Sequence, residues 1–334
     1  PRYFEAMLKG RSFHEAAIIT SRICGICSLG HQITSLKATE QALGLEVSEQ
    51  TVLLRKLLIH GATLQSNVLH AYFLAAPDFL NVGSVFPLVG THPEVVVRAL
   101  RMKRLANDIG DVVSGRAVHP ITPVPGGFTR IPTAGELKEL KRRLEEDMYP
   151  DLLATVETLK SLAGAIPQFV RDTEYISLRS DDDYALYDGD ICSTDTGRVP
   201  DREYRKMTNE FIVPHSTSKH AKVNRSSYMV GALARWNNNH DRLCELAHTA
   251  AGALGLEVSE QTVLLRKLLI HGATLQSNVL HAYFLAAPDF LDVGSVFPLV
   301  GTHPEVVVRA LRMKRLANDI GDVVSGRAVH PITP

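Results

Sequence analysis

A mainly α-helical fold, a long-helix bundle with a small β insert, is predicted for this chain by three observations. Two stretches, residues 48–76 and 93–113, repeat apolar residues at helical spacing and open on helix-start signals. A third region, from Gln168 to Thr194, loses that period and reads as short strands. The chain has 334 residues with 45% hydrophobic and 22% charged content, enough for a sizeable core.

In order, Tyr3 to Leu8 reads as a short helix stopped by Gly10-Arg11, and His31 to Leu43 as a helix closed by Gly44. Ser48 is an N-cap for the next helix, with Glu49 and Gln50 in its first turn. Val52, Leu53, Leu57, Leu64, Val68 and Tyr72 form its apolar stripe, and Pro77 is expected to end it. Pro93-Glu94 opens a helix to about Val113, with Val96, Val97, Leu100, Leu105 and Ile109 inward. A Pro/Gly-rich loop follows. Thr133 and Glu136 then have capping-box spacing for a charged helix, whose Glu136–Asp147 run reads as a solvated face. A helix from about Pro150 to Ala163 precedes the strands. Tyr184 to Tyr187, Asp188-Gly189 and Ile191-Cys192 read as a hairpin, His215 to His220 as a polar loop, and 226–251 as helix.

Composition excludes several function classes. The 36 basic and 36 acidic residues balance to zero, so nothing marks a nucleic-acid or anionic-membrane partner. Four cysteines, Cys24, Cys27, Cys192 and Cys244, are too few for a secreted disulfide framework. No apolar run has transmembrane length and no signal peptide is apparent, so a cytoplasmic setting is expected. The chain starts at Pro1, which reads as a processed or trimmed chain or a fragment.

An internal repeat shapes the domain organisation. Residues 253–334 repeat residues 42–123 at a constant offset of 211, with the single difference Asn81 against Asp292. Repeats under selection diverge because each copy meets different neighbours. The expected division is therefore 1–252, with 253–334 a duplicate arising as an artefact or truncated copy.

The chemistry concentrates at Arg22-Ile23-Cys24-Gly25-Ile26-Cys27-Ser28-Leu29-Gly30-His31. Two cysteines three apart can aim both thiolates at one point, and Arg22 adds a positive charge expected to favour the thiolate. That pattern is half of a four-ligand soft-metal site or a redox dithiol. A zinc knuckle would need two more donors, for which only His14 and His31 offer themselves, and a thioredoxin-type pair would need a βαβ context. Cys192 and Cys244 read as buried small hydrophobes. His60, His70, His92 and His119 read as structural, and His215, His220 and Lys219 suit an exposed loop.

Arg22-x-Cys24-Gly25-x-Cys27-x-x-x-His31 resembles the first metal-binding signature of the large subunit of [NiFe] hydrogenases. Arg2-x-Phe4-Glu5 and Gly10-Arg11 resemble the segment before it. Gly115-Arg116-x-x-His119-Pro120 with Pro125-Gly126-Gly127 resembles a later loop. Tyr184–Thr194, His215–Lys222 and Tyr228–Arg235 resemble the soluble, cytoplasmic branch coupled to NAD(P), deazaflavin or heterodisulfide reductase modules. The resemblance implies a hydrogenase large-subunit-like fold and a Ni–Fe centre on four thiolates, whose iron carries CO and cyanide. By that likeness Cys24 would bind Ni, Cys27 would bridge Ni and Fe, and His31 would bond near the bridging sulfur. Glu5 matches a carboxylate that binds Mg²⁺, and Arg22 belongs to the same catalytic signature. The activity implied is reversible heterolytic cleavage of H₂, with electrons passing to Fe–S clusters in a small subunit. A diaphorase, deazaflavin or heterodisulfide reductase module and maturation factors complete the implied partners.

The family's second pair of thiolates comes from a later CxxC, and no second CxxC occurs in these 334 residues. The family's N-terminal acidic motif also does not precede the signature. The expectation is a chain inactive as written. The competing reading is a non-catalytic scaffold of the same fold, or a structural Zn-binding protein. Relatives in respiratory complex I keep the scaffold without the cysteines, so Cys24 and Cys27 speak for the metal reading.

Overall fold

Capping chemistry decides where the helices begin and end. The computed structural model describes residues 2–162, 164, 172–182, 184–225, 227–243 and, in the second copy, 304–305, 307–308 and 311–312. Helix α1 (Arg2–Leu8) stops before Gly10, whose φ is 74°. Helix α2 (Phe13–Ser21) opens on a capping box in which Glu15 Oε2 accepts from the Ser12 N–H at 3.1 Å. Helix α3 (Ser28–Leu43) ends at Gly44, held left-handed at φ 66°, as the sequence predicts; it begins one turn earlier than His31. Helix α4 (Glu49–Val68) is capped by Ser48 Oγ, which accepts from the Thr51 N–H at 3.3 Å.

Pro77 does not end that helix. The chain passes from α4 into a π-helical segment, Leu69–Ala75, and then into α5 (Ala76–Phe79), where Pro77 lies in the first turn. The π-helical ladder runs up to the Ala76 N–H, which reaches the Ala71 carbonyl, so the N–H that Pro77 lacks falls where the ladder changes register from π to α. The turn α6 (Leu88–Thr91) precedes α7 (Pro93–Ser114), which ends at Gly115 with φ 74°.

Helices α4 and α7 pack so closely at one level that a Cβ on Gly61 would stand 2.8 Å from Ile109 Cγ2. Around that contact Val68, Tyr72, Ala99, Met102, Leu105 and Ile109 form one core cluster with Leu140 and Met148. A second cluster, Leu29, Ile33, Leu54, Leu58, Val113 and Tyr187, lies beneath α3. Leu53, Val97 and Leu100 are exposed, not inward. Val68, Tyr72, Val96, Leu105 and Ile109 are buried as expected, and Thr51, Leu54, Arg55 and Leu58 on α4 and Ala99 and Met102 on α7 turn inward with them, so the buried faces extend past the residues counted on hydrophobicity alone.

The hairpin of β1 (Pro123–Val124) and β2 (Gly127–Phe128) turns at Gly126, with φ 87°. Helix α8 (Ala134–Arg143) starts with the expected box, Thr133 N–H to Glu136 Oε2 at 2.7 Å and Glu136 N–H to Thr133 Oγ1 at 3.2 Å. A π-helical turn, Leu144–Met148, joins it to α9 (Tyr149–Leu162). The charged run is mainly solvated, as in the Arg142 pairs with Glu139 and Glu146, although Arg143 reaches Asp108 of α7 at 2.7 Å.

The β insert differs from the expected hairpin. Strands β3 (Glu174–Arg179), β4 (Asp190–Ser193) and β5 (Gly197–Val199) make an antiparallel sheet, with Arg179 opposite Asp190. Tyr184–Tyr187 lies in the connection between β3 and β4. Its apolar residues serve tertiary packing instead: Ala185 is buried, and Tyr187 enters the cluster beneath α3. The helical turn α10 (Tyr204–Met207) leads to a hairpin of β6 (Asn209–Ile212) and β7 (Lys219–Lys222), so Lys219 and His220 belong to a strand and not to a loop. Strand β8 (Tyr228–Met229) pairs parallel with β3, and α11 (Ala232–Asn239) follows. The expected helix over 226–251 is thus a strand and a shorter helix within its described part. Gln168, Ala163, Cys244 and all but the few named residues of the copy at 253–334 lie outside the described residues.

Candidate metal centre

Cys24 and Cys27 occupy the bend between α2 and α3. Arg22 caps α2, its N–H reaching the carbonyls of Ile19 and Thr20. Cys27 takes the N-cap position of α3 with φ −104° and ψ 24°, and the His31 N–H closes the first turn on the Cys27 carbonyl at 3.3 Å. The two cysteines meet: the Cys27 N–H donates to Cys24 Sγ at 3.4 Å. Cys24 is half-buried and Cys27 exposed.

Their protonation diverges. The Cys27 thiol, then the Cys27 and Ile26 N–H groups, hold Cys24 below the usual 9.0. Loss of hydration at its sulfur, then the bond to Cys24 and that neighbour's charge, push Cys27 up to about 11. Of the two, Cys24 is the thiol that gives up its proton more readily, and a soft cation binding the pair would displace the protons the sulfurs carry. Arg22 is exposed and is not among the groups that lower Cys24, so the charge effect expected of it is supplied by the pair itself.

The other expected site residues stand apart. His31 lies one turn into α3, half-buried, and its ring makes no hydrogen bond among the described residues. Glu5 is paired with Lys219 Nζ of β7 at 2.9 Å, and Arg2 donates to the carbonyls of Ser216 and Thr217, so α1 is fastened to the β6–β7 hairpin. Among the described residues no three His, Cys, Asp or Glu side chains converge as metal ligands. Cys192 is buried in β4, as expected of a small hydrophobe. Two thiol donors are therefore present where a Ni–Fe centre on four thiolates needs twice that number, and the described residues do not fit the whole group.

The loop after α7 supports the bend. Ser114 Oγ donates to the carbonyls of Gly110 and Arg116, and the Ala117 N–H reaches Asp111 Oδ1 at 2.8 Å, folding residues 115–120 back on their own helix. His119, at φ 55°, then places its N–H on Ser28 Oγ at 3.0 Å and its Nδ1 on the Ser21 carbonyl at 2.9 Å. Gln32 Nε2 donates to the Pro120 carbonyl at 2.9 Å. A water-sized cavity of about 20 Å³ lies between this loop and the bend, with Ile26, Ser28, Gly110 and Pro120 in its wall. The roles of Ser21, Ser28 and Gln32 were not readable in the sequence. The tight Gly115-to-Pro120 motif was the only signal.

The fold is an α-helical bundle with a small sheet, and it sets a pair of thiols on a bend at a helix N-terminus. The nickel-dependent hydrogenase family model matches residues 2–88. The alpha subunit of sulfhydrogenase 1 of Pyrococcus furiosus is 34% identical over 248 residues, 73% of this chain and 56% of that protein. A vhu-type F420-non-reducing hydrogenase subunit of Methanocaldococcus jannaschii is 31% identical over 258 residues, 71% of this chain and 62% of that protein. Among solved structures, an NAD+-reducing [NiFe]-hydrogenase in the H2-reduced state matches with a TM-score of 0.67 at 26% identity, over 78% of this chain and 63% of that one. The chain belongs to the nickel-dependent hydrogenase family, among its large (alpha) subunits. It spans less than two thirds of the length of these relatives.

Proposed function

We propose that this chain contributes the first thiolate pair of a [NiFe] hydrogenase large subunit, an oxidoreductase that cleaves H₂ heterolytically and reversibly. The observation that carries the reading is the meeting of Cys24 and Cys27 at the start of α3, where the Cys27 N–H donates to Cys24 Sγ at 3.4 Å, inside this family's fold. Cys24 would be a terminal nickel donor and Cys27 a bridging one. The remaining two thiolates must come from residues other than those described, so this chain's part in the reaction is to hold the metal at one side.

The iron would carry CO and cyanide ligands, and electrons would pass to an Fe–S small subunit. A diaphorase, deazaflavin or heterodisulfide reductase module is the finer partner assignment, supported only by likeness of the β-insert region to the soluble branch. No described helix is long and apolar enough to cross a membrane, and a cytoplasmic setting is proposed on that branch likeness. A Mg²⁺ role for Glu5 requires Lys219 to give way, since that ammonium already occupies the carboxylate. His31 keeps its proposed place near the bridging sulfur, and Arg22 its place beside the pair.

The scaffold reading is favoured by one observation, the absence of a third donor near the pair among the described residues. Metal analysis after co-expression with maturation factors and a small subunit separates the two. The proposal expects nickel bound in dependence on Cys24 and Cys27, without a stoichiometric Ni–Fe centre in the isolated chain. A chain that takes up no nickel supports the scaffold. A full Ni–Fe centre would overturn the expectation of inactivity.

A further inference from the structure

The bend between α2 and α3 has little to hold it in shape from within. Between Arg22 and Ser28 the internal hydrogen bonds among the described residues are those of the two helix ends and those that converge on the Cys24 sulfur from Cys27 and the Ile26 N–H. What brackets the bend comes from 91 to 98 residues further along the chain. His119 Nδ1 meets the Ser21 carbonyl, the last residue of α2, and the His119 N–H meets Ser28 Oγ, the first residue of α3. One residue thus ties both ends of the six-residue segment that carries the thiols.

Three features mark this bracket as built. Ser21 and Ser28 are each 1% exposed and His119 is half-buried, so these bonds are partly withdrawn from water, where a lost partner costs more than at the surface. His119 sits at φ 55°, a region that non-glycine residues enter at a cost unless their surroundings demand it. The loop that delivers it is pinned by Ser114 and Asp111 at one end and by Gln32, on α3 itself, at the other. Because the Ser21 group is a carbonyl, Nδ1 is the ring nitrogen that donates.

We propose that His119 is the positioning residue of the Cys24–Cys27 pair, setting the approach of the two sulfurs by clamping Ser21 and Ser28. It touches no metal. The proposal rests on the reading of Cys24 and Cys27 as a joint soft-metal donor, and it adds a residue that acts only through the backbone on either side of them.

Three substitutions separate side-chain bonding from backbone conformation. His119→Asn keeps a short N–H donor near the place of Nδ1 and tolerates a left-handed backbone; His119→Gly relaxes the backbone and removes the donor; His119→Ala removes the donor and keeps the strain. The full chain is titrated with Cd²⁺, read by the thiolate-to-metal absorption band. Closure of a Cys24–Cys27 disulfide by diamide, which takes two electrons and two protons from the pair, is timed by peptide mapping. Thr133→Ala, which uncaps α8, controls for general destabilisation.

Second-sphere partners of metal ligands are worth about tenfold to a hundredfold in metal affinity. Expected, then, is about a tenfold loss of Cd²⁺ affinity and a changed closure rate for His119→Gly and His119→Ala, with His119→Asn within about threefold of wild type and Thr133→Ala unchanged. Wild-type affinity and closure in the Gly and Ala variants would overturn the proposal, as would an equal loss in Thr133→Ala or an Asn variant as weak as Gly. If wild type itself binds no Cd²⁺ at these cysteines, the donor reading fails; the closure rates then still judge the clamp.

Discussion

Replacing Glu40 by glutamine should be among the most damaging single-atom changes this fold can suffer. Arg55 and Glu40 form a buried pair, 0% and 6% exposed at the side chain, with Arg55 Nη2 to Glu40 Oε1 at 2.6 Å and Nη1 to Oε2 at 2.8 Å. Glu40 Oε1 also accepts from the Gly126 N–H at 2.7 Å, while Arg55 reaches Tyr187 Oη and the Val124 carbonyl. The pair therefore joins α3, α4, the β1–β2 hairpin and the connection that leads into β4. Burial works against the guanidinium charge, but Glu40 and the Tyr187 hydroxyl outweigh it and hold Arg55 firmly protonated. In the Glu40→Gln variant that charge stays buried with only neutral acceptors. Stranding one member of a buried pair costs about 3–5 kcal/mol. Guanidinium denaturation followed by circular dichroism measures it. The double change Glu40→Leu with Arg55→Met should recover most of the loss, since Arg55 Nε has no partner among the described residues and adds its own cost. A loss below about 1 kcal/mol, the scale of exposed pairs, would refute the reasoning.

Further outcomes follow from the same geometry. Gly61→Ala drives a methyl to 2.8 Å from Ile109 Cγ2, so α4 and α7 must part; a loss of about 1–3 kcal/mol is expected in the same denaturation assay. The Thr133 N–H and hydroxyl, with Arg130, hold Glu136 down at about 2 from its ordinary 4.5. A carboxyl depressed by folding stabilises above its unfolded value and loses that contribution as pH falls through its folded one. The stability gap between wild type and Glu136→Gln should therefore be constant above about pH 4.5 and close between there and about pH 2. A gap that persists in acid would contradict this. Lys219→Ala frees Glu5 and loosens α1 from the β6–β7 hairpin, and faster hydrogen exchange confined to residues 2–8 is the expected sign.

Local chemistry was legible in the sequence wherever a single residue decides an outcome. Gly44 ends α3, Ser48 begins α4, and Thr133 with Glu136 opens α8 because caps act within one turn. The thiol pair was legible for the same reason. The faces and the sheet were not, because each depends on a distant partner. Leu53 and Val97 have the right period for burial, yet the neighbours of α4 and α7 select Leu54 and Ala99. Tyr187 looks like a strand residue and is instead a core residue beneath α3. The partners of the clamp on the cysteine bend could not be read from the Gly115-to-Pro120 motif, because Ser21 and His119 are 98 positions apart.

The most direct test of the central claim is nickel X-ray absorption on the full chain loaded with Ni²⁺. The account predicts two sulfur neighbours per nickel, falling to one in Cys24→Ser and in Cys27→Ser. Nickel surrounded only by nitrogen and oxygen, or sulfur coordination unchanged when both cysteines are replaced, would contradict it.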